Sequence, residues 1–63
     1  MDKIYLVFTG DQYGVDLVDQ ELMDLEEAIK LYNQHILDDE HSVVIYKVQD
    51  GKFERFKMYV SNN

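Results

Sequence analysis

The chain has 63 residues, a formal net charge of -7, and neither Cys nor Pro. It is therefore one small domain, without a disulfide framework or a thiolate metal site, and it depends on its core or on self-association for stability. A hydrophobic content of 46% excludes intrinsic disorder despite the charge. The run KIYLVFT, residues 3–9, is β-branched and aromatic, and its five-residue apolar core falls short of a signal peptide or a membrane span, so it predicts a first strand. Ile4, Leu6 and Phe8 share one face of that strand, and Tyr5 and Val7 share the other. Both faces are apolar, as in a strand covered on both sides. TGDQYG supplies turn chemistry, and YGVDLVDQ, residues 13–20, follows as a weaker strand that closes a hairpin.

Asp24 stands three residues before Glu27, which is the spacing of a capping box, so a helix is predicted to start at Leu25. Leu25, Ala28, Ile29, Tyr32 and Ile36 form its apolar stripe, while Glu26, Lys30, Asn33 and Gln34 face away. The helix is expected to end near Leu37, where HILDDEH places Asp38, Asp39 and Glu40 against the unfavourable negative end of the helix dipole. SVVIYKVQ and KFERFKMYV then flank Asp50-Gly51, a strong signal for a two-residue type I′ hairpin.

Continued pairing from that turn places Val43, Ile45, Phe56, Met58 and Val60 on a core face, with Lys47 opposite Glu54. Val44, Tyr46, Val48, Phe53, Arg55, Lys57 and Tyr59 fall on the opposite face. The predicted architecture is a single α+β domain over 1–63: a two-layer ββαββ fold with one amphipathic helix packed on a largely antiparallel four-stranded sheet. One helix covers one sheet face. The other is expected to carry Tyr5, Val7, Val44, Tyr46, Val48, Phe53 and Tyr59 as the interface of a two-fold homodimer.

Phe53, Arg55, Lys57 and Tyr59, spaced two apart beside Tyr46, also have the layout of a stacking platform for single-stranded nucleic acid. The negative field of the chain opposes direct phosphate binding. His35, Asp38, Asp39 and His41 fall within one window and could gather around a cation, but the spacing matches no established metal motif, and a solvated loop is the simpler reading. No Gly-rich phosphate loop, nucleophile elbow or catalytic His–carboxylate spacing is present, so neither enzymatic activity nor a cofactor is expected.

The charge is concentrated in the middle of the chain. Residues 11–40 hold ten acids against the single base Lys30, whereas residues 41–63 carry a net charge of +2. Solubility alone accounts for such a surface. The functional reading makes Asp16, Asp19, Glu21, Asp24, Glu27, Asp38, Asp39 and Glu40 an array presented to a basic partner. Alternate residues on a strand, as Asp19 and Glu21 would be, lie about 6.8 Å apart, close to the spacing of successive phosphates.

Small size, strong acidity, absence of Cys, one α+β domain and a dimer face together make the chain resemble the DNA-mimic inhibitors encoded by bacteriophages and other mobile elements. KIYLVFTGDQYG is also similar to the openings of short phage products. The resemblance lies in layout and charge, with no shared motif. It implies a cytoplasmic inhibitor that occupies the DNA site of a basic host protein, such as an HU-type nucleoid protein, RNA polymerase, a repair glycosylase, or a restriction or CRISPR nuclease. The alternative is an adaptor or assembly component working through the apolar outer sheet face.

Overall fold

A computed structural model describes residues 2–11, 14–38 and 41–61. The elements are β1 (Tyr5–Asp11), β2 (Gly14–Leu17), α1 (Leu25–Leu37), β3 (Ser42–Gln49) and β4 (Lys52–Val60). They form one antiparallel sheet in the order β2-β1-β3-β4 with α1 against one face, which is the predicted ββαββ, α+β fold. Among the described residues no helix is long and apolar enough to cross a membrane.

Local chemistry explains the boundaries. Asp24 is extended, at φ -77° and ψ 169°, and its carboxylate accepts a hydrogen bond from the Glu27 backbone N–H at 2.8 Å, so α1 starts where the capping spacing places it. Asp50 and Gly51 both lie in the left-handed region, at φ 54° and 73°, as the type I′ turn between β3 and β4 requires. The second strand is shorter than the sequence suggests. It ends at Leu17, and the chain then runs back along β1: Val18 N–H donates to the Val7 carbonyl, and Tyr5 and Met23 exchange backbone bonds at 3.0 and 2.9 Å. Main-chain groups of β1 beyond the end of β2 are satisfied by this return segment.

The core lies between α1 and the sheet. Val7, Val43 and Ile45 are fully enclosed there with Ala28, and Met23 and Tyr32 are nearly so. Tyr5, Ile29, Leu31, Ile36 and Tyr59 pack around them. Burying side chains of this size stabilises by roughly 1.5–3 kcal/mol each, which is where a domain without Cys finds its stability.

Two expected facings are corrected. Val7 pairs with Ile45 and Tyr5 with Lys47, so Tyr5 and Val7 face the helix, and Leu6 and Phe8, opposite Tyr46 and Val44, lie on the outer face. Both sides of β1 are apolar, so its own pattern could not orient it; the partner strand does. The second correction comes from a β-bulge in β4. Pairing from the turn proceeds as expected through Tyr46↔Arg55, then skips Phe56, so that Ile45 meets Lys57, Val44 meets Met58 and Val43 meets Tyr59. One extra residue reverses every facing beyond it. Tyr59 and Lys57 therefore point to the helix side, and Met58 and Val60 to the outer side. The bulged Phe56 meets Tyr5 edge-on at 5.4 Å, and the Lys57 ammonium lies 5.3 Å from the centre of the Tyr32 ring.

Candidate functional site

The outer sheet face is built from alternate residues of all four strands. Phe8, Tyr46 and Phe53 form an aromatic row across β1, β3 and β4, with centroids 5.4 Å apart at 90° for the first pair and 6.2 Å at 54° for the second. Around it stand Leu6, Val44 and Val48, with Val15 and Leu17 from β2 and Met58 and Val60 from β4. Phe53 is 62% exposed and Met58 50% exposed, so apolar side chains open to solvent along β4, while Phe8, Val44, Tyr46 and Val48 are half-buried and Leu6 is buried at the centre of the face. Gly10 lies in the same plane opposite Ser42, and the Ser42 hydroxyl occupies the space a side chain at position 10 would need.

Arg55 is the one charged side chain among the described residues of this face. Its guanidinium lies 3.8 Å from the Met58 sulfur. Of the residues expected here, Val44, Tyr46, Val48 and Phe53 are present, whereas Val7 is wholly buried under α1 and Tyr5 and Tyr59 belong to the helix side. Phe53, Arg55, Lys57 and Tyr59 are consequently split between two faces and do not form a stacking platform. Leu6, Phe8, Val15, Leu17, Met58 and Val60 are additions. The strict alternation in GVDL around Asp16 was the available signal for the β2 pair, while nothing in ERFKMYV marks the bulge that turns out Met58 and Val60.

The acids occupy the other layer. Asp16 pairs with Thr9 and is exposed on the helix side of β2. Asp19 and Glu21 are exposed in the return segment and are not on a strand: the Glu21 N–H donates to Asp19 Oδ1 at 3.2 Å, a local turn that replaces the expected strand spacing. Asp24, Glu26 and Glu27 crowd the first turn of α1 beside Lys30 and border a shallow concavity. There the carboxylates face the positive end of the helix dipole and are locally favoured. Asp38 is the C-cap, and its backbone N–H donates to the carbonyls of Gln34 and Ile36, so the helix end is satisfied through the main chain while the side chain is exposed. Asp39 and Glu40 lie outside the described residues.

Two of the eight acids thus have structural work, Asp24 as a cap and Asp19 in a turn, whereas Asp16, Glu21, Glu27 and Asp38 extend their carboxylates from exposed positions. Among the described residues no group of three or more His, Asp or Glu side chains is gathered as a metal site would need. Comparison with protein families, with curated proteins and with solved structures finds no match.

Proposed function

We propose that this chain is a non-enzymatic binding protein whose acidic layer docks on a basic nucleic-acid-binding protein and blocks the site where a phosphate backbone would lie. The observation that carries the reading is the segregation of charge. Carboxylates crowd the β2–α1 segment, the start of α1 and its C-cap, while the outer sheet face has none among its described residues. Solubility alone would be served better by charge on the open apolar face, where Arg55 alone supplies it. The excess of acids over Lys30, Lys47 and Lys57, which share that layer, costs self-repulsion, and a Lys- and Arg-rich target offsets that cost when the surfaces meet. Recognition of this kind requires the summed potential of the layer more than a fixed phosphate spacing, so the turn at Asp19 and Glu21 does not oppose it.

Capture from bacterial lysate on the tagged protein, with elution by a salt gradient, tests the proposal. A basic nucleic-acid-binding protein released as salt rises, and displaced by added duplex DNA, is the expected result. Reversal of Asp16, Glu21 and Glu27 to Lys, which spares the cap Asp24, should weaken capture by roughly tenfold or more. A neutral partner retained at high salt and indifferent to those reversals would instead establish the adaptor reading, with the acids serving solubility.

A further inference from the structure

We infer that the outer sheet face is the contact between two copies of this chain, packed sheet to sheet about a two-fold axis with the α1 helices on the outside. The inference is independent of what the acidic layer binds. Two observations point to a second copy as the occupant.

The first is area. The chain exposes 4789 Å², whereas the scaling for folded monomers gives about 4,250 Å² for its mass. A sheet left open on one side contributes to that excess, and a standard interface takes ~800 Å² from each partner. Of the large apolar side chains that stand well exposed, Val15, Leu17, Phe53, Met58 and Val60 gather on this one face, whereas Leu22, Leu37 and Phe56 lie elsewhere.

The second is charge. Two molecules of net charge -7 repel over most of their surfaces. The outer face is the approach on which described carboxylates do not oppose one another, because Asp16, Asp24, Glu26 and Glu27 all lie on the helix side. A basic partner gains nothing from a face without acids, and an acidic one finds only Arg55. Arg55 stands on the edge strand β4, so its head can remain in water at the rim while its stem lies along the contact. Face-to-face packing at about 10 Å would interleave the Phe8–Tyr46–Phe53 row with its symmetry mate and make a four-layer αββα sandwich.

Sedimentation at micromolar to millimolar concentration is the test, on the parent and on Phe53→Glu and Met58→Glu. Both side chains stand largely in solvent in the single chain, so the fold survives their replacement, which circular dichroism checks. The parent should sediment as a dimer. Each substitution should weaken dimerisation by at least about 30-fold, since every position in a two-fold contact is met twice. Added salt should tighten the dimer or leave it unchanged, opposite to the salt response of a partner held by the acids. Spin labels on a Glu26→Cys variant should report helices on opposite outer sides. A monomer at all concentrations, a dimer indifferent to both substitutions, or labels on the same side of an edge-paired sheet would overturn the inference.

Discussion

Tyr32 shows how an ionisable side chain is fitted to this small core. Its ring is enclosed between α1 and the sheet, under the Lys57 ammonium, and burial together with the neighbouring Tyr59 raises its hydroxyl above the ordinary phenol value of 10.0. A raised value means that the folded protein holds this proton more tightly than the unfolded chain does. The associated stability is therefore complete below about pH 10 and is lost as pH rises through the folded value. Tyr32→Phe keeps the ring and its face toward Lys57 but removes the titration. Urea unfolding from neutral pH to about pH 11 should accordingly fall more steeply in the parent than in the variant. Equal alkaline slopes would mean that the hydroxyl reaches water in the native state.

The bulge in β4 decides which side chains form the core and which the open face. Because the pairs beyond it already skip Phe56, deletion of that residue leaves Ile45↔Lys57, Val44↔Met58 and Val43↔Tyr59 in place. The deletion should cost little beyond the Phe56–Tyr5 contact, on the order of 1–2 kcal/mol, and nuclear Overhauser contacts from Tyr59 to the core should persist. Loss of those contacts would show that the bulge itself holds the register. Much of the fold was legible in residues with one physical reading: Asp24 as a cap, Asp50-Gly51 as a left-handed turn, and the limits of β3, β4 and α1. The facings were less so. Tyr5 and Leu6 are interchangeable by hydrophobicity, and a bulge without Gly leaves no trace in the pattern, so half of the open face became visible only through pairing between distant strands. The acidic layer was legible in charge and chain position, but turn chemistry at Asp19 and Glu21 competes with strand spacing and won.

At the scale of the whole molecule, an acidic layer on a small domain makes stability sensitive to ionic strength. Thermal unfolding at neutral pH should shift upward as sodium chloride is raised to about 1 M, where the Debye length falls to about 3 Å, because self-repulsion among the acids is screened. Reversal of Asp16, Glu21 and Glu27 to Lys should flatten that dependence, and an unchanged slope would place the repulsion elsewhere. The sheet order also governs how the chain is made. β1 lies between β2 and β3, and Tyr5 pairs with Lys47. The first strand synthesised must therefore wait for the last third of the chain, a delay of roughly 2–8 seconds at ordinary translation speed. Until that third arrives, Leu6, Val7 and Phe8 stay without their β3 neighbours Tyr46, Ile45 and Val44, so the sheet closes around its first strand only as a late step.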